Sequence, residues 1–174
     1  MLINLSDVLT SEGKTESVSV PLEMTSFDSR LGTFSITEKN SVDFTFTNIG
    51  VDEAKVEGSV KLVFEAECDR CLTVVPVCLD LVFERVVTSP GKTTEDEEEE
   101  APSYMDGYQL DVETFVYDEI LLNWPAKILC KEDCKGVCPV CGQNRNEKEC
   151  GCDTFVPDPR MAAIGDIFNA NKEV

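Results

Sequence analysis

The first ninety residues alternate between apolar and polar positions. Val18 and Val20 flank a serine, and Val42, Phe44 and Phe46 alternate with Asp43, Thr45 and Thr47. Val56, Val60, Leu62, Phe64 and Ala66 share one face of a longer run, with Glu57, Ser59, Lys61, Glu65 and Glu67 mostly opposite. After an interruption at 68–72, Val75, Val77, Leu79, Leu81 and Phe83 resume the pattern. A period of two places the apolar side chains on one face of a pleated strand and leaves the other wet, as in antiparallel sheets. The pattern predicts a hairpin in which residues 56–67 pair with 73–87.

Further on, the period changes. Asp111 stands where an N-cap is expected, and Val112, Phe115, Val116 and Ile120 trace a helical stripe toward Trp124, which Pro125 terminates. An extended stretch, Ala126–Leu129, leads into Cys130, and Asp158-Pro159 caps a short helix carrying Met161, Ile164, Ile167 and Phe168. The expected class is α+β: an antiparallel sheet-rich core, curling toward a partly closed barrel, with a few short helices and a C-terminal cysteine-rich zinc-knuckle region. The expected divisions are a β region over 1–88, an acidic linker over 89–107, and a helix plus metal-binding region over 108–174 that packs on the β region.

Cysteine placement changes the picture most. Six of the nine cysteines lie in the 23 residues from Cys130 to Cys152. Cys138-x2-Cys141, followed by Cys150-x-Cys152, presents two close thiolate pairs, enough for a tetrahedral all-sulfur shell with Zn–S bonds of about 2.3 Å. Pro139 stiffens the first turn, and Gly142 permits the positive φ that turns backbone N–H groups toward sulfur. Cys68-x2-Cys71 falls at the tip of the predicted hairpin and reads as half of a further site. A redox C-x-x-C sits instead at a helix N-terminus, where the dipole lowers a thiol pKa. Eight cysteines in two tetrads would leave Cys78, expected to be buried and inert.

Charge restricts the partners. Net charge is −19, with 34 acids against 15 bases and no histidine. Broad binding to phosphate backbones needs a basic face, and the commonest general base is missing. No enzyme activity and no small-molecule substrate are therefore expected. Between Lys92 and Lys127 there is no base, and that interval holds 11 of the acids, with the run Glu95–Glu100 at its centre. Such a run repels itself and stays solvated, or serves as a docking tail for a basic partner. The start, Met1-Leu-Ile-Asn-Leu-Ser-Asp, lacks a basic and apolar leader, and no stretch approaches the ~18 apolar residues of a membrane span. A cytoplasmic protein is expected, whose clustered cysteines serve as metal ligands in a reducing compartment.

Cys-Asp-Arg-Cys-Leu (68–72), Asp118-Glu-Ile-Leu-Leu-Asn-Trp-Pro125, the block Cys130 to Gly142, Cys150-x-Cys152 and Asp158-Pro-Arg160 occur in an order that resembles the YceD family. These are the large ribosomal RNA subunit accumulation proteins of bacteria and plastids. The resemblance covers about residues 60–170, and it implies a part in 23S rRNA accumulation, hence large-subunit biogenesis, without a known catalytic activity. Some relatives keep the Cys68-type pair and lack the later block. That implies two separable sites, one of Cys68, Cys71, Cys130 and Cys134, the other of Cys138, Cys141, Cys150 and Cys152, and hence one or two zinc ions. A single metal on the second tetrad is the competing partition.

The bases near the cysteines are balanced by acids there, so this end alone could approach phosphate, with Arg70, Lys131, Lys135 and Arg145 as candidate contacts. The expected partner is 23S rRNA, or else a ribosomal or assembly protein. A separate class also fits the residues. Cys-Pro-x-Cys-Gly occurs in rubredoxin-type iron sites, which makes a rubredoxin-like four-cysteine iron protein, or a thiol redox protein, the alternative.

Overall fold

The computed structural model describes residues 1–89 and 102–152. Contacts separate the chain into two compact units, one of Met1–Ala66 with Val74–Ile128, the other of Glu67–Thr73 with the chain from Leu129 onward. Most of the acidic stretch (residues 90–101) and the helix expected after Asp158 lie outside the described residues.

The first unit is built on a six-stranded sheet of β2 (Thr15–Val20), β3 (Ser26–Ser29), β4 (Gly32–Lys39), β5 (Val42–Gly50), β6 (Glu53–Glu67) and β7 (Val74–Thr88). The predicted hairpin is β6 with β7. Opposite β6, Ser35–Lys39 of β4 face Glu65–Leu62, and Asp43–Gly50 of β5 face Ser59–Glu53, all antiparallel. β4 and β5 thus succeed one another along β6, and between them the Asn40 N–H donates to Lys61 O at 3.1 Å. Register shifts at Ile36/Glu38 and Asn48/Gly50 absorb the bends. β2 pairs with β5, and β3 with β4.

That arrangement corrects the partly closed barrel. The strand order is an open path from β2 to β3, with β7 as a branch on β6, and no pairing among the described residues closes it. Closure requires the terminal strands to meet, whereas β2 and β3 both lie outside the β4–β5 line.

A smaller sheet, ordered β1 (Leu2–Asn4), β9 (Gln109–Asp111), β8 (Met105–Asp106), draws the N-terminus to the segment before the main helix. Residues 102–107, read from their charge as linker, thus contribute a strand. Helix α1 (Ser6–Thr10) packs by Val8 and Leu9. Asn48, buried in β5, ties it down: its Nδ2 donates to Val8 O (3.0 Å) and Leu9 O (3.3 Å), and its Oδ1 accepts from Gly13 N. A buried amide paired on both sides avoids the cost of an unmet polar group.

Helix α2 (Val112–Asn123) starts where Asp111 caps it, accepting from the Glu113 N–H at 3.2 Å, and it ends before Trp124-Pro125. Val112, Phe115, Val116 and Ile120 are fully buried with Phe44, Phe46, Phe64 and Phe83 of the sheet. Phe115 meets Phe83 edge-on, with centroids 4.8 Å apart, and Trp124 lies 4.5 Å from Phe34. Gly58 faces this core from β6. A Cβ there would overlap Asp43 O and the Phe83 ring, so glycine lets the ring cover the strand.

One cysteine departs from expectation. Cys78 is exposed on β7. Val77 and Leu79 take the inward positions, so the alternation sends Cys78 to the wet face. The odd cysteine count carried no information about that parity.

Candidate metal centres

The hairpin tip forms the first part of the second unit. β6 ends at Glu67, and a turn closed by Leu72 N to Cys68 O and Cys68 N to Thr73 O (both 2.9 Å) carries Cys68 and Cys71. Leu72 adopts a φ of 61°, which completes the reversal. No helix follows Cys71, so the dipole that activates a redox C-x-x-C is missing here. The tip docks on the chain after Leu129. Cys68, Cys71 and Cys134 form a buried cluster with Leu129 and Cys130.

These four cysteines bring their Sγ atoms within 4.8 Å of one another. Cys68 and Cys134 sulfurs are 3.8 Å apart, and those of Cys71 and Cys130 are 3.5 Å apart. A disulfide requires about 2.05 Å, so neither pair is bonded. An all-sulfur tetrahedron with bonds of about 2.3 Å has edges of about 3.8 Å, close to both distances.

Cys138, Cys141, Cys150 and Cys152 form a second quartet, their sulfurs likewise within 4.8 Å of one another. Its turn is hydrogen-bonded from Gly142 N to Cys138 O and from Cys138 N to Gln143 O, each 2.9 Å, and Gly142 has a φ of 73°. Both groups could hold a metal ion, and each has the all-sulfur donors that suit a soft or borderline cation. They differ in cover. Three cysteines of the first are buried, but only Cys138 of the second is.

Electrostatics follow from the crowding of sulfur. Burial pushes the Cys68 thiol up, but backbone N–H groups of Arg70, Cys130 and Cys71 outweigh it and hold it at about 6. Backbone N–H groups of Cys141 and Val140 bring Cys138 down to about 6. Burial and then the neighbouring thiols drive Cys130 to about 12, and Cys141 and Cys150 drive Cys152 to about 12. Four sulfurs this close cannot all carry charge by themselves; a divalent cation would let them.

Asn144 and Asn146, which carry no spacing signal, complete the site. Asn146 Nδ2 donates to Cys134 Sγ at 3.2 Å, and its Oδ1 accepts from Lys135 N at 2.9 Å. Burial raises the Cys134 thiol, and that amide contact leads the opposing hydrogen bonds that leave it lowered. Asn144 Nδ2 reaches Thr73 Oγ1 at 3.3 Å, and Thr73 Oγ1 is 3.3 Å from Cys71 Sγ. Gly136, with a φ of 74°, lets the chain pass under Arg70; a Cβ would lie 3.0 Å from Arg70 O.

The four candidate cations all lie in this unit and are exposed. Arg70 Nη1 donates to Cys134 O at 2.9 Å, so part of its fork is spent on the fold. Lys131 pairs with Asp133 at 3.8 Å and Lys135 with Glu149 at 3.6 Å. Such exposed pairs contribute about 0–1 kcal/mol and yield readily to a competing anion.

An antiparallel-sheet protein with two tetracysteine centres is the class that this fold and site define. The model of the family described as large ribosomal RNA subunit accumulation protein YceD matches residues 56–168, and the chain belongs to that family. An uncharacterized protein of Mycobacterium leprae is 28% identical over 92 residues, covering 52% of this chain and 42% of that protein. Uncharacterized proteins of Mycobacterium bovis and Mycobacterium tuberculosis are 32% identical over 89 residues, 50% of this chain and 42% of theirs. The match thus spans less than half the length of these relatives. No solved structure is significantly similar to the chain. Among the described residues no helix is long and apolar enough to cross a membrane.

Proposed function

We propose that this chain is a noncatalytic, cytoplasmic factor in large-subunit biogenesis, supporting 23S rRNA accumulation through direct contact of its cysteine-rich unit with pre-ribosomal RNA. The family match carries the reading, because it names the RNA phenotype and spans both cysteine quartets. Zinc, two ions per chain, is the metal assigned: redox-silent, satisfied by four thiolates, and able to fix a short segment that buries little apolar surface. From 129 to 152 the chain has four bases and four acids, a local balance in a protein at −19. Arg70, Lys131, Lys135 and Arg145 supply the phosphate contacts.

Crosslinking in cells, followed by identification of bound RNA and protein, should enrich 23S rRNA. Replacing Lys131 and Lys135 with Gln should then weaken binding with zinc content intact, and lower the slope of log affinity against log salt by about 0.7–0.9 per lost contact. An unchanged slope removes direct RNA contact through this face. Capture of a basic ribosomal protein, insensitive to the two lysines, would transfer the reading to the acidic surface.

A further inference from the structure

The two quartets are consecutive along the chain, but their supports are crossed. Asn144 and Asn146 belong to the loop between Cys141 and Cys150, which is closed at both ends by ligands of the second quartet. Their side chains nonetheless serve the first. Asn146 Nδ2 donates to Cys134 Sγ, and Asn144 Nδ2 holds Thr73 Oγ1, which in turn contacts Cys71 Sγ. The pair is locked internally: the N–H and Nδ2 of Asn146 both donate to Asn144 Oδ1 at 3.0 Å. Main-chain bonds fix the loop to the strip between the quartets, with Arg145 N to Gly136 O at 2.9 Å and a bridge pairing Val137 with Asn144. Val137 N in turn donates to Arg70 O, between the first two ligands of the first quartet.

From this geometry we propose that Asn146 is a positioning residue that couples the two centres: closure of the loop by metal at Cys138, Cys141, Cys150 and Cys152 sets the amide that steadies Cys134 in the other site. The proposal rests on both quartets binding metal. The second centre is the more open, with Cys141 exposed and Cys150 and Cys152 half-buried, and the first is the more enclosed. Loss of the exposed ion frees the loop, withdraws Asn146 and Asn144, and thereby loosens the buried ion. Occupancy of the buried site becomes conditional on the exposed one, a coupling that is symmetric in the binding equilibria but need not be in the rates of release. Groups just outside the ligands typically change metal affinity about 10–100-fold when removed.

The test is zinc release from the full chain, holding two ions, into a chromogenic chelator. The phase missing in Cys68→Ser identifies the first centre. Asn146→Asp keeps an oxygen for Lys135 N and removes the N–H to sulfur. It should speed release from the first centre at least about tenfold while leaving the second unchanged, and Cys150→Ser should speed the first to a similar degree. A fold disturbed nonspecifically would instead accelerate both phases in Asn146→Asp, and that overturns the proposal. Two ions with first-centre release unaltered in both variants overturns the coupling and leaves the metal reading standing. Fewer than two ions in the wild type overturns the metal reading, and the coupling with it.

Discussion

The two units reach order by different means. In the first, Phe27, Phe44, Phe46, Phe64 and Phe115, with a dozen and more aliphatic side chains, are removed from water between the sheet and α2. Burial of that kind is ample for a cooperative core, at roughly 1.5–3 kcal/mol per large side chain. In the second, the buried cluster among the described residues is Cys68, Cys71 and Cys134, supported by Leu129 and Cys130. From Leu129 to Cys152 there is neither a helix nor a strand, only turns and one isolated bridge. The described stretch, with so little apolar surface to bury, does not offset its conformational entropy unaided. The first unit is held by carbon; on the proposed reading, the second is held by sulfur and the metal that sulfur would bind.

Removing the metal should have the largest effect. Structural zinc contributes on the order of 10 kcal/mol to modules that are unfolded without it. Chelation of anaerobically prepared protein should therefore abolish the order of the second unit. Elemental analysis beforehand should give two zinc ions and a colourless solution; a red protein containing iron would move the account to the redox class. Next is the core. Phe115→Ala should cost about 3–5 kcal/mol in thermal or denaturant unfolding of the first unit, with bound zinc unchanged. A matching loss of zinc would erase the distinction between the units.

A smaller effect comes from the ion pair between sheet and helix. Arg85 Nη2 lies 2.8 Å from Glu119 Oε1, the Glu119 side chain 4% exposed and the Arg85 side chain 38%. Burial raises the Glu119 carboxyl above its ordinary value, and Arg85 opposes that. A raised acid stabilises the fold fully at pH below its unfolded value and loses that contribution as pH rises through the folded one. Arg85→Ala should lengthen that window upward and cost about 2 kcal/mol at neutral pH, less than a fully buried pair because Arg85 is partly in water. Titration of stability against pH checks the sign, and Glu119→Gln should flatten the slope. Smallest of all, Asp111→Ala should cost about 1 kcal/mol by removing the cap of α2, again in the first unit alone.

The same contrast decides what could be read from the chain. β5, β6, β7 and α2 were legible because each repeats its period over two or more turns of pattern. The inward residues named on β5, β6 and α2 are buried, as are Leu81 and Phe83 on β7, whereas Val75, Val77 and Leu79 are half-buried. The short strands β1, β8 and β9, two or three residues each, were not, because no period can establish itself in that span. Cysteine spacing alone grouped Cys138 with Cys141, Cys150 and Cys152. Joining Cys68 and Cys71 to Cys130 and Cys134, far along the chain, needed the resemblance. Asn144 and Asn146 were invisible for another reason. The Asn146 amide acts on the Cys134 sulfur and that of Asn144 on the Thr73 hydroxyl, both from other segments, and nothing in Asn-Arg-Asn distinguishes that role from a solvated loop. Gly136 belongs with them: its positive φ and its closeness to Arg70 arise only once the hairpin tip has docked.

Hydrogen exchange by mass spectrometry, on protein with and without a zinc chelator under reducing conditions, tests the division directly. Peptides from Glu67–Thr73 and Leu129–Cys152 should lose protection on chelation, while those from β5, β6 up to Ala66, and α2 keep theirs. Protection retained in the cysteine-rich peptides without metal, or lost from both units together, would contradict the claim that the second unit owes its structure to its metal centres.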